Sequence, residues 1–157
     1  MGPALPKFLC DHMLGSLAKW LRLLGYDTLY PGPLGDRETA AKAYDEGRVL
    51  LTRDRNLASR VRGAVYVASD DKDEQLRAVI DKLRLDLSNP LSLCSVCNVP
   101  IEEVDREKVQ EKIPPAVLEI QTEFWKCPSC GRVYWQGSHW DDMIRRIRKL
   151  EGGGKTP

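Results

Sequence analysis

The chain has 157 residues, room for one medium domain or for a domain with a small appended module, and only its larger part can bury a substantial core. With 30% charged and 42% apolar residues and no apolar run of membrane-helix length, the composition is that of a soluble protein and excludes a bundle of membrane helices. A net charge of +1 neither requires nor forbids nucleic acid, because an acidic site can cancel a basic groove in the sum.

In chain order, Lys7 to Cys10 reads as a short strand, with Cys10 in an apolar run that suits a small buried hydrophobe. Leu14, Leu17, Ala18, Leu21 and Leu24 recur at helical spacing, and Gly25 is placed to end that helix. Tyr26 to Tyr30 is a second strand. After Pro31-Gly32-Pro33, Asp36 can cap a helix through Glu46 that stops at Gly47. Val49 to Thr52 is a third strand, Ala64 to Ala68 a fourth, and Asp73 to Leu85 a further helix. Strands alternating with helices imply an α/β architecture, a parallel sheet with flanking helices on both faces. Asp86-Leu87-Ser88-Asn89-Pro90 breaks the pattern and divides residues 1–88 from a second module over 89–151. In that module Ser138-x-x-Asp141 can form a capping box for a last helix with Met143, Ile144, Ile147 and Leu150 on its apolar face, and residues 152–157 read as a loose tail.

The second module carries two Cys-x-x-Cys pairs, Cys94/Cys97 and Cys127/Cys130. Thiolates two residues apart close a tight turn around one metal, and a second such turn completes a tetrahedral zinc shell with no position left open, so the zinc is expected to be structural. Two disulfides or a redox pair fit less well. Disulfide frameworks belong to secreted chains, whereas Met1 to Pro6 offers no apolar signal core and suggests a cytoplasmic protein.

Ligands of open parallel sheets bind beyond the carboxyl ends of the strands. Asp11 follows the first strand and Asp54 the third; Asp36 begins the helix after the second, and Asp70 and Asp71 follow the fourth. Clustered carboxylates repel unless a cation neutralises them, and hard magnesium or manganese takes such oxygen ligands. A cation held there can polarise a phosphate and activate water, which is the chemistry of phosphodiester hydrolysis. Each acid also has a plainer reading: Asp36 as a helix cap, Asp70 and Asp71 as caps or solvated residues, Glu38 as a solvated helix residue. His12 beside Asp11 is not needed by a magnesium site.

The runs from Asp11 to Asp27, from Gly47 to Arg55, and from Cys127-Pro-x-Cys130-Gly-Arg-Val-Tyr-Trp135 to Trp140 resemble the Mut-seven C-terminal RNase family, over Phe8 to about Ile147. The resemblance implies a PIN-like nuclease domain with a zinc ribbon, whose acidic residues bind divalent metal and cut RNA. Matched residue by residue, it implies Asp11 and Asp54 as catalytic metal ligands and Asp36 next. The fourth acid of PIN domains has no matched counterpart.

Basic residues gather on the same edge. Lys19 and Arg22 are three apart on the first helix, and Arg53 and Arg55 flank Asp54; they read as phosphate contacts or, for the first pair, equally as a solvated helix face and, for the second, as ion-pair partners of Asp54 or its neighbours. Phe124, Trp125, Tyr134, Trp135 and Trp140 give the ribbon an aromatic set that can stack on unpaired bases but serves mostly for packing, with Trp135, His139 and Trp140 as candidate RNA contacts. A nucleotide-binding domain is disfavoured because Asp11-His12-Met13-Leu14 has no Gly-rich loop. A haloacid-dehalogenase-like phosphatase is disfavoured by Met13, where that class needs an aspartate. The expectation is a magnesium- or manganese-dependent ribonuclease acting on single-stranded RNA, with DNA also open. The alternatives are a non-catalytic RNA-binding protein and a protein-interaction adaptor.

Overall fold

The computed structural model of the chain describes residues 5–138, 140–142 and 144–146. Strands β1 (Phe8–Cys10), β2 (Thr28–Leu29), β3 (Val49–Thr52) and β4 (Val65–Tyr66) form one parallel sheet in the order β2-β1-β3-β4. The period of two along each strand decides which helix each residue meets. Phe8, Cys10, Leu51, Val65 and Val67 pack with Leu17 and Leu21 of α1 (Gly15–Leu23) and with Leu76, Val79 and Ile80 of α4 (Lys72–Leu83). Leu9 and Leu50 instead meet Ala43 of α2 (Asp36–Asp45) and Leu57 of α3 (Arg55–Arg60). Both faces of the sheet are therefore covered, as the alternation of strands and helices requires. Cys10 is fully buried and its thiol is pushed up chiefly by that burial, so it acts as a small hydrophobe.

Helix termini differ from the sequence expectations in detail. Gly35, not Asp36, occupies the N-cap of α2, and Asp36 is its first helical residue. Asp71 caps α4 by accepting from the Glu74 N–H at 2.9 Å. Helix α3 was not anticipated, and Asp54 is its cap. Gly25 ends α1 at φ +100°, where an added Cβ would also lie 3.1 Å from the Asn89 carbonyl oxygen, so two constraints select glycine there.

Beyond an irregular stretch at residues 86–92, β5 (Glu102–Val104), β6 (Phe124–Lys126) and β7 (Val133–Tyr134) form an antiparallel sheet in the order β5-β6-β7. Between β5 and β6 lie α5 (Arg106–Val109), a 3-10 turn (Gln110–Lys112) and α6 (Pro115–Ile120). Val109, Ile113 and Phe124 make a small core of their own. The main core nevertheless continues into this module: Leu91 and Trp140 are buried in it, and Ile101, Trp125, Tyr134 and Ile144 pack against it. Residues 138, 140–142 and 144–146 are helical, with the Asp141 N–H bonded to the Gly137 carbonyl, so Ser138 lies inside the first turn instead of capping it. This helix returns to the parallel sheet's own helices, where Trp140 stacks on Trp20 of α1 at 5.5 Å and Arg146 pairs with Asp73 of α4 at 2.7 Å. His139, Met143, Ile147, Leu150 and the tail lie outside the described residues. Among the described residues no helix is long and apolar enough to cross a membrane.

The first Cys-x-x-Cys turn is fastened to the parallel sheet by side chains. Arg22 donates through Nε to Thr28 O at 2.9 Å and through Nη1 to Ser95 O and Val96 O at 2.8 and 3.3 Å. Asn98, held at φ +59°, accepts from the Thr28 N–H at 3.1 Å and donates to Asp27 Oδ1 at 2.7 Å. Arg48 joins from the start of β3, donating to Asp27 Oδ1 at 2.9 Å and to Phe8 O at 3.1 Å. Burial opposes ionisation of Asp27, but its bonds from Asn98 and Arg48 outweigh that and hold its pKa below the usual carboxylate value. A folded-state pKa depressed in this way contributes stability above about pH 4, and the contribution is lost as the pH falls through the lower folded value. Asp27→Asn should therefore melt below wild type at neutral pH, with the gap in Tm closing on acidification below about pH 4. Thermal melts of both chains across that range check it.

Candidate active site and thiol cluster

Strand order fixes where the first site must lie. The chain leaves β1 toward β2 on one side and returns to β3 on the other, so β1 and β3 flank the point where the winding reverses, and a crevice opens at their carboxyl ends. Asp11 is the residue after β1, and Asp54 lies two beyond β3. Both line a cleft of about 130 Å³ whose walls include Asp36, His12, Met13, Thr39 and Thr52. Asp70 and Asp71 are not among its walls.

Asp11 is held in one orientation. Its Oδ2 accepts from the Thr52 hydroxyl at 2.6 Å and from the Arg53 N–H at 2.9 Å, while Oδ1 accepts from the Met13 N–H at 2.9 Å. The same Thr52 hydroxyl accepts from the Asp54 N–H at 3.0 Å. A single fully buried threonine thus ties the carboxylate after β1 to the backbone after β3. Thr52→Val keeps the shape and removes the hydroxyl, leaving one Asp11 oxygen and the Asp54 N–H each short of a partner. The expected loss is about 1–3 kcal/mol of folding stability, read by urea denaturation. Asp54 Oδ1 accepts from Leu57 N–H at 3.1 Å as the cap of α3, and its Oδ2 has no hydrogen-bond partner among the described residues. Asp36 Oδ2 takes a 2.9 Å bond from Arg60, an exposed pair of the kind that contributes little to stability.

The three carboxylates share a cleft without closing on a common point; among the described residues, the group of acids, cysteines or histidines whose ligand atoms all lie within 4.8 Å of one another is Cys94, Cys97, Cys127 and Cys130. A magnesium or manganese ion does not require such a cage. Magnesium keeps several waters and uses one or two carboxylates, and Asp11 Oδ1, Asp54 Oδ2 and Asp36 Oδ1 each retain acceptor capacity.

The thiol cluster can hold one metal ion. Cys94 Sγ and Cys130 Sγ are 3.8 Å apart, far beyond a disulfide bond of about 2.05 Å. A tetrahedron with zinc–sulfur bonds of about 2.3 Å has an edge of about 3.8 Å, which matches. Within each turn an N–H points at the first sulfur, Cys97 N to Cys94 Sγ and Cys130 N to Cys127 Sγ, both at 3.4 Å. The Tyr134 hydroxyl accepts from the Ser95 N–H and stands 3.1 Å from Cys94 Sγ. Burial opposes ionisation of Cys94, but the Tyr134 hydroxyl and the N–H groups of Cys97 and Val96 bring its thiol down to about 6. Cys97 is pushed up to about 11, first by the neighbouring Cys130 thiol and then by burial. Four thiolates at such distances would repel one another without a cation between them.

The basic and aromatic candidates divide. Lys19 is exposed, but Arg22 is only 8% exposed and spends its guanidinium on the carbonyls of Thr28, Ser95 and Val96, so it is a structural clasp and not a phosphate contact. Arg53 donates to the Ala68 carbonyl at 3.0 Å, with its Nε buried and unpartnered, and makes no ion pair with Asp54. Arg55 is exposed and lies over the Tyr66 ring at 5.1 Å. Trp140 is 7% exposed and stacked on Trp20, which removes it as a surface for bases. Trp135 is half-buried, edge-on to Phe124 in the ribbon's core. Thr52, Arg22 and Asn98 are the site and clasp residues that sequence reasoning missed or misplaced.

A family model for the Mut7-C RNAse domain matches residues 6–147, nearly the whole chain. The chain belongs to the Mut7-C RNase family. Searches of curated proteins and of solved structures give no match. Membership in the Mut7-C RNase family points to nuclease or RNA-related function and to a nucleic-acid substrate. In this chain the cleft at the β1/β3 reversal is lined by Asp11, Asp36 and Asp54, with Asp11 held by the Thr52 hydroxyl and the Arg53 N–H.

Proposed function

We propose that the protein is a magnesium- or manganese-dependent ribonuclease that hydrolyses phosphodiester bonds of single-stranded RNA, with Asp11, Asp36 and Asp54 as its metal-binding acids. The observation that carries this reading is the placement of Asp11 and Asp54 on either side of the winding reversal, coupled through Thr52. A divalent cation bound there supplies Lewis acidity toward a phosphate oxygen and lowers the pKa of water. Asp11 is oriented for this by three donors and keeps one acceptor position on Oδ1. Asp54 would offer Oδ2 to the cation, and Asp36, now paired with Arg60, would be the third acid to hold it. Arg53, Arg55 and Lys19 supply positive charge toward the flanking phosphates, where arginine's planar fork suits phosphate oxygens. The four cysteines hold a structural zinc, and the ribbon keeps the β2 side of the sheet in place.

The test is cleavage of end-labelled single-stranded RNA and matched DNA with manganese, with magnesium and with EDTA. RNA cutting that needs the metal supports the reading, and the fragment ladder shows whether cuts are internal or from an end. RNA binding without cutting under every metal condition would favour a non-catalytic RNA-binding protein instead.

A further inference from the structure

Tyr66 is the last residue of β4, the outermost strand on its side of the sheet, and is paired in register with Thr52. Its neighbours Val65 and Val67 point into the core between the sheet and helices α1 and α4, so alternation turns Tyr66 to the other face, the one toward which Thr52 points. The tyrosine therefore stands one strand spacing, about 4.8 Å along the hydrogen-bonding direction, from the threonine that holds Asp11. It is 38% exposed, and the guanidinium of Arg55, one residue after Asp54, lies over its ring. Single exposed aromatics are ordinary on protein surfaces. This one differs in its address, beside the acid cleft, and in its partner, a cation that fixes the ring's plane while keeping hydrogen-bonding capacity for a phosphate.

We infer that Tyr66, braced by Arg55, is a stacking platform for an unpaired base next to the scissile phosphate, an assignment that rests on the ribonuclease reading. A flat ring close to the cleft gives a base a π-face to lie on, and stacking of this kind is tolerant of base identity while requiring that the base be unpaired. Arg55 then serves two partners, the ring and the adjacent phosphate. The substrate class follows: single-stranded or looped RNA is taken, and a continuous duplex, whose bases are already stacked on one another, is refused.

The experiment uses the full chain carrying Asp54→Asn, so that RNA is bound without turnover, and compares it with the same chain carrying in addition Tyr66→Ala, Tyr66→Phe or Tyr66→Trp. Fluorescein-labelled single-stranded oligoribonucleotides report affinity by anisotropy, and 2-aminopurine placed at successive positions reports stacking by quenching. Tyr66→Ala should weaken binding by about 5- to 100-fold and abolish quenching at one position, while Phe and Trp keep both within about twofold. In the cleaving chain Tyr66→Ala should raise KM and leave kcat nearly unchanged. Equal affinity and equal quenching in Tyr66→Ala and its parent would overturn the platform while leaving the nuclease reading intact. A parent that binds no RNA would remove both. Because Tyr66 is outside the core, unchanged thermal melts of the variants confirm that binding, not folding, is being read.

Discussion

Cleavage of single-stranded RNA by Asp54→Asn should fall by at least about a hundredfold, with RNA affinity retained and the melting temperature unchanged. The substitution is chosen for what it leaves in place. Asp54 caps α3 through Oδ1 and the Leu57 N–H, and asparagine caps a helix as well as aspartate does. What disappears is the negative charge on a group whose second oxygen has no protein partner among the described residues, which is the oxygen a cation would use. Asp54→Ala would add a lost cap of about 1 kcal/mol and confuse chemistry with folding. Removing a negative charge beside bound phosphates also favours RNA slightly, so the variant should trap the complex it cannot cut. The readout is the rate of end-labelled RNA cleavage with manganese or magnesium, beside an anisotropy titration. An Asp54→Asn chain that cuts at the wild-type rate would take the catalytic assignment away from this cleft.

Withdrawal of zinc should have the largest effect on folding. Structural zinc in small modules contributes about 10–16 kcal/mol of apparent binding free energy, which matches or exceeds the whole stability of an ordinary domain. The ribbon's own core is small, centred on Val109, Ile113 and Phe124, and cannot replace that contribution. A zinc chelator, or Cys127→Ser at a fully buried ligand, should unfold residues around both Cys-x-x-Cys turns. The loss should spread. Arg22 and Asn98 join the first turn to β2, and Trp140 and Leu91 belong to the main core, so amide exchange should quicken in β2 and α1 as well. Elemental analysis should give one zinc per chain, and hydrogen exchange with and without chelator maps the response. Identical melting and exchange in both conditions would refute a structural metal.

Much of this molecule could be read from residues alone because its strongest signals are local. The five-residue leucine and alanine pattern of α1, the apolar run of β3 and the strand-end positions of Asp11 and Asp54 each follow from periodicity or from the geometry of parallel sheets. The paired Cys-x-x-Cys turns are equally local, and their sulfurs do converge. Helix α3 escaped because six residues with one buried anchor, Leu57, cannot display a helical period. Arg22 was misplaced for a tertiary reason. It shares a side of α1 with exposed Lys19, but the ribbon's first turn lies over the arginine and not over the lysine, and no pattern within the helix encodes that. Thr52 did leave a trace, a polar residue closing an otherwise apolar strand. Its partner is 41 positions away, so its role shows only once β1 and β3 are side by side.

Strand β2 lies at the rim of the parallel sheet, and both main-chain groups of Thr28 are already taken, the N–H by Asn98 and the carbonyl by Arg22. An uncovered rim strand is a template on which another chain can add itself. Asn98 of the cysteine-bearing module and Arg22 of α1 thereby occupy the β2 rim: side chains, not a further strand, cover it, and a chain deprived of them would offer that border to other copies.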